Sequence, residues 1–158
     1  MKSFIYKPIF SQKRFLVFIE AIGPKVKKYF GKTPGCIICL EVDGVFYAEA
    51  LYQWLKSKNL NLTFTTMNDN GSGLEEKKLV GRKVLIVEDE IVTGKSYKRA
   101  MENIRIRKEK FKIKDFQFAV YRDRTGVADF AVDSYSAYAP WSLEKLDGLD
   151  LKIIRTLT

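Results

Sequence analysis

Val84-Leu85-Ile86-Val87-Glu88-Asp89-Glu90-Ile91-Val92-Thr93-Gly94-Lys95-Ser96 decides how this chain is read. Four consecutive apolar residues, Val84 to Val87, predict a strand covered on both faces of a sheet. The acids follow at once. Thr-Gly-Lys-Ser then opens a helix whose inner face carries Tyr97, Ala100, Met101 and Ile104, through about Arg107. A helix start presents unpaired backbone N–H groups and the positive end of the helix dipole. Thr93 and Ser96 add hydroxyls, Gly94 permits close approach, and Lys95 adds charge. That assembly suits a phosphate monoester. The upstream carboxylates would repel phosphate, so they need sugar hydroxyls or a divalent cation as partners. A ligand with a phosphate at one end and a cis-diol at the other satisfies both halves.

Gly94-Lys95-Ser96 also matches the end of a nucleotide-binding P-loop. That motif requires a glycine five residues before Gly94. Asp89 stands there, where it would oppose the phosphates, so the P-loop reading is set aside.

Outward from this stretch, apolar residues at Phe15, Phe18, Ile19, Ile22, Val26, Tyr29 and Phe30 predict a helix over Ser11 to Phe30, broken or kinked at Gly23-Pro24. Cys36 to Val42 reads as a strand and Asp43-Gly44 as a turn. Val45, Ala48, Tyr52 and Leu55 mark one face of a second helix. Leu62 to Thr66 and Phe116 to Tyr121 read as further strands, and Phe130 to Tyr138 and Leu151 to Ile154 as β-like segments of the tail. Met67 to Gly81, with its Asn-Asp-Asn-Gly-Ser-Gly run, reads as a long polar loop of the kind that is mobile or functional. Strands alternating with helices imply βαβ units and a mostly parallel α/β sheet. Ligands then bind beyond the carboxyl ends of the strands, where Asp43-Gly44, the Glu88 to Lys95 turn, the long loop and Arg122 to Gly126 should gather.

Composition narrows the chemistry. The chain has 158 residues, which favours one domain. Its formal net charge of +9 attracts anions. No apolar run is long enough to span a membrane and no signal peptide is read, so a cytoplasmic location is expected. With no histidine, Ser-His-Asp and Cys-His catalysis drop out. Cys36 and Cys39 are the two cysteines; on a strand they point to opposite faces and read as small buried hydrophobes, not a metal or redox pair.

The thirteen residues from Val84 to Ser96 resemble the signature of type I phosphoribosyltransferases, which bind 5-phosphoribosyl-1-pyrophosphate (PRPP). The resemblance implies that Glu88 and Asp89 act at the ribose hydroxyls and that Glu90, Ile91, Val92, Thr93, Gly94, Lys95 and Ser96 wrap the 5-phosphate. Glu90 replaces a usually apolar residue. Val42, Asp43 and Gly44 sit where the family places its pyrophosphate loop, with Val42 and Asp43 standing where an Arg or Lys and a Gly are common. Asp89 with Asp43, or Glu41, would help hold Mg2+, and the Met67 to Gly81 loop corresponds to the one that closes over the site. Asp123-Arg124-Thr125-Gly126 resembles a segment of orotate phosphoribosyltransferases whose Arg meets the orotate carboxylate. Ala139-Pro140-Trp141 resembles the hood of purine enzymes, so Arg124, Tyr138 and Trp141 become base-binding candidates. The implied protein is one domain over residues 1–158, its hood built from N-terminal residues and roughly 128–150. It would be a homodimer that transfers phosphoribose from PRPP to orotate or a purine, with nucleic acid not expected as a partner. The alternative is a PRPP- or nucleotide-binding regulator of the same fold, with RNA bound through its basic surface.

Overall fold

A computed structural model describes residues 12–41 and 44–134. Its elements in chain order are α1 (Gln12–Phe30), β1 (Gly35–Leu40), α2 (Val45–Ser57), β2 (Leu62–Met67), a short 3-10 helix (Glu76–Leu79), β3 (Lys83–Ile91), α3 (Lys95–Arg105), β4 (Asp115–Asp123) and β5 (Phe130–Ser134). The strands form one five-stranded sheet in the order β2-β1-β3-β4-β5. Every pairing is parallel. Chain direction across the sheet reverses between β1 and β3, which creates a crevice at their carboxyl ends.

Burial explains why these segments became these elements. Cys36 to Leu40 and Val84 to Val87 are at most 1% exposed, as central strands covered on both faces must be. Alternate residues serve opposite layers. Ile37, Cys39, Leu85, Val87 and Ala119 pack against Phe18, Ile22, Val26 and Phe30 of α1 and Leu51 and Leu55 of α2. Cys36, Ile38, Val84, Ile86, Phe118 and Val120 pack against Ala100 and Ile104 of α3 and against Leu79. The two thiols are free and lie in opposite layers. Burial pushes Cys36 up to about 11 and Cys39 up to about 12, far from a reactive thiolate.

Three expectations need revision. Gly23-Pro24 does not end the first helix; α1 continues through Pro24 to Phe30. The backbone bond lost at proline costs about 3 kcal/mol. Complete burial of Ile22 and Val26 on either side offsets it, and a Cβ at Gly23 would stand 3.0 Å from the Trp54 ring of α2. β3 does not stop at Val87 but carries the acids, because pairing with β4 continues to Glu90↔Arg122 and Ile91↔Asp123.

The Met67 to Gly81 stretch is docked along the sheet edge. Thr63 Oγ1 donates to the Lys78 carbonyl (2.7 Å), Lys78 Nζ to the Phe64 carbonyl (2.8 Å), and the Glu75 N–H to Thr65 Oγ1 (3.1 Å). Leu79 is fully buried beneath it. From α3 and the turn after it, Arg99 pairs with Asp69 at 2.8 Å and Arg107 with Glu76 at 2.9 Å. Residues 130–134, read from the sequence as β-like, form the edge strand β5. Among the described residues no helix is long and apolar enough to cross a membrane.

Candidate functional site

A cleft of about 400 Å3 opens at the β1/β3 crevice. Its walls are Leu40 and Glu41 at the end of β1, Asn68 and Asp69 after β2, Glu88 to Ile91 at the end of β3, and Val92 to Tyr97 running into α3. The entire Glu88 to Ser96 stretch therefore lines one cavity.

The backbone between β3 and α3 makes the cradle. Gly94 is the N-cap of α3, with φ +85° and ψ 0° and no side-chain capping bond. A Cβ there would find its nearest neighbour only at 3.8 Å, in Thr125, so left-handed geometry rather than crowding selects glycine. Thr93 Oγ1 accepts a long bond, 3.4 Å, from the Lys95 N–H. The first α3 bond to form is Lys98 N–H to the Gly94 carbonyl. The earlier N–H groups of that turn have no partner within the helix and border the cleft, with the hydroxyl of Thr93 and the exposed Lys95 and Ser96 around them.

The acids stand opposite. Glu88, Asp89 and Glu90 are partly exposed in the same cleft. Glu90 points its carboxylate at Arg124, with Oε1 2.7 Å from Nε. Asp89 lies near the phenol of Tyr47 on α2. Burial drives that phenol up to about 12, Arg14 opposes the rise and Asp89 adds to it. Gly44, which precedes α2, is wedged against the end of β3: a Cβ would meet the Val87 carbonyl at 2.5 Å and the Leu40 carbonyl at 2.7 Å. Only glycine lets the chain leave β1 this close to the acids.

The Asp123 to Gly126 segment joins the edge, held by Asp123. Asp123 is 1% exposed. Its Oδ1 accepts from the Thr125 N–H and hydroxyl and from the Gly126 N–H, and its Oδ2 accepts from the Ala128 N–H, all within 2.9 Å. The Asp123 carboxylate thus folds the tight link that lets β5 enter beside the middle of β4. The Arg124 N–H donates to the Ile91 carbonyl (2.9 Å), and its side chain is matched to Glu90.

Sequence reasoning passed over Arg14, whose guanidinium lies on the Tyr121 and Tyr47 rings beside this edge. Its only signal was an arginine in the first turn of an otherwise apolar-faced helix. Val42, Asp43, Tyr138 and Trp141 lie outside the described residues.

The resemblance implies Mg2+ at this site. Among the described residues there is no group of three or more acidic or thiol side chains that could cage a cation. Mg2+ bound to a phosphorylated ligand keeps waters and needs only one or two carboxylates. Partly exposed Glu88 and Asp89 fit that mode.

No family model matches this chain, and no curated protein matches it. Solved structures do. A hypoxanthine-guanine-xanthine phosphoribosyltransferase superposes with a TM-score of 0.63 at 20% identity, over 80% of this chain and 76% of that one. The HGPRT-ase of Leishmania tarentolae in complex with GMP gives 0.62 at 12% identity, over 78% and 76%. A hypoxanthine-guanine phosphoribosyltransferase of Bacillus anthracis gives 0.59 at 14% identity, over 80% of each chain. The fold is therefore that of type I phosphoribosyltransferases, reached at low sequence identity.

Proposed function

We propose that this chain transfers the phosphoribosyl group of PRPP to a purine base, releasing pyrophosphate and forming a nucleoside monophosphate. The observation that carries the reading is a single cleft that joins two acids to a glycine-capped helix start. The 5-phosphate would sit on the first-turn N–H groups of α3, with Thr93, Lys95 and Ser96 around it. The 2- and 3-hydroxyls would donate to Glu88 and Asp89, fixing the sugar across the strand end.

Charge develops on the ribose ring as its bond to pyrophosphate breaks. The carboxylates of Glu88 and Asp89, held on a strand rather than a loop, lie where they would stabilise that charge without reorganising. Fixing both ends of the sugar aligns C1 with the incoming base, and alignment alone is worth several kcal/mol. Mg2+ bound with the substrate at Asp89 would neutralise the leaving pyrophosphate. No nucleophilic side chain is required, which suits a chain without histidine whose thiols are buried.

A purine is preferred over orotate for two reasons. The superposed solved structures are named as purine enzymes. Arg124, the candidate for an orotate carboxylate, is held by Glu90 at 2.7 Å.

The test is pyrophosphate release from PRPP and Mg2+ in the presence of hypoxanthine, guanine, xanthine, adenine or orotate, one at a time. Turnover is expected with at least one purine. Asp89→Asn should lower kcat/KM about ten- to hundredfold, the worth of a hydrogen bond to a charged group. PRPP binding without turnover on any base would reject transfer and leave the regulator reading, for which the +9 charge and the cradle would serve anion sensing.

A further inference from the structure

Arg14 stands near the start of α1. Its guanidinium carbon lies 4.6 Å from the centroid of Tyr121 and 5.6 Å from that of Tyr47. The rings beneath it are themselves fixed. Tyr47 and Tyr121 are 5.5 Å apart, and Phe18 packs on both, 5.0 Å from Tyr47 and 6.5 Å from Tyr121. Phe15 abuts Tyr47 edge-on at 5.4 Å. An exposed arginine on such a platform keeps its planar head in one place.

That head has no carboxylate partner among the described residues, unlike three other arginines of the chain. Arg99 is matched to Asp69, Arg124 to Glu90 and Arg107 to Glu76. A second arginine shares the locality: Arg122, like Arg14 and Asp89, acts on the Tyr47 phenol, and its Nε is buried without a hydrogen-bond partner among the described residues. Asp89 falls between the Glu88↔Val120 and Glu90↔Arg122 pairs, beside Tyr121, so the Arg14 head seated on Tyr121 lies on the side of Asp89 that faces α1 and α2, away from α3. The cleft wall itself is strongly acidic, with Glu41, Asp69, Glu88, Asp89 and Glu90 against Lys95. A ligand with anionic groups at both ends needs cations at both ends.

We propose that Arg14, seated on Tyr47 and Tyr121, binds the diphosphate end of PRPP, on the opposite side of Asp89 from the α3 cradle. The inference rests on the phosphoribosyl-transfer reading and extends it to a residue of α1. The donor then spans the strand end: 5-phosphate at α3, ribose hydroxyls at Glu88 and Asp89, and diphosphate under the Arg14 fork, which matches phosphate oxygens bidentately. Arg14 is a binding residue in this scheme and moves no proton.

Calorimetric titration separates the parts. The full chain and its Arg14→Ala and Arg14→Lys variants are each titrated with PRPP, with inorganic pyrophosphate and with ribose 5-phosphate, all with Mg2+. Arg14→Ala is expected to weaken PRPP and pyrophosphate about tenfold or more while leaving ribose 5-phosphate unchanged. Arg14→Lys, which keeps the charge but not the fork, should fall between. Unchanged PRPP affinity in Arg14→Ala would overturn the proposal, as would an equal loss for ribose 5-phosphate, which would make Arg14 a support of the fold. A wild-type chain that binds none of the three would reject the phosphoribosyl reading itself, an outcome distinct from a selective failure at Arg14.

Discussion

Asp123 organises more of the site's edge than any other single side chain. Its buried carboxylate accepts four hydrogen bonds from residues 125–128. Removing the carboxylate takes the acceptor from all four donors, of which those of Thr125 and Ala128 are partly buried and that of Gly126 exposed. Asp123→Ala should therefore cost about 3 kcal/mol in denaturant unfolding, and Asp123→Asn less, since its amide oxygen can still accept. A loss under 1 kcal/mol for Asp123→Ala would mean that the link to β5 folds without it. At this scale the sequence was informative about residue types and silent about partners. Asp123-Arg124-Thr125-Gly126 was legible as a turn next to the site. That Arg124 meets Glu90, 34 positions away, depends on β3 and β4 lying in register, and nothing local records it. Arg14 was missed for the same reason, because its tyrosines come from α2 and β4.

The elements that could be read from the chain are those whose pattern is their own. Apolar spacing placed α1, α2 and α3, and unbroken apolar runs placed β1 and β3, because burial on one or two faces dictates periodicity directly. Partner-made structure did not show in that way. The acidic end of β3 is a strand only because β4 pairs with it, and the polar run after β2 is ordered only because Thr63, Thr65 and Phe64 supply bonds to it. Leu79 anchors this second case and is fully buried. Leu79→Ala should cost about 2–4 kcal/mol, and proteolysis within residues 68–81 should accelerate. A neutral substitution, with no new cleavage, would indicate a free lid instead of a docked edge.

Across the whole molecule, helices on both faces of a parallel sheet leave one place for a ligand, the crevice where chain direction reverses between β1 and β3. The thirteen residues that first suggested a phosphate-and-diol ligand run from the core of β3, through that crevice, into α3. Sequence pattern and topology thus arrive at the same edge by independent routes. The base end was less legible, since Tyr138 and Trp141 lie outside the described residues and Arg124 is engaged elsewhere. The most direct test of the account is a crystal structure grown with PRPP and Mg2+. The account predicts the 5-phosphate on the backbone of Thr93 to Ser96 and the ribose hydroxyls on Glu88 and Asp89. Density for the ligand in any other part of the molecule, with that cleft filled only by solvent, would contradict it.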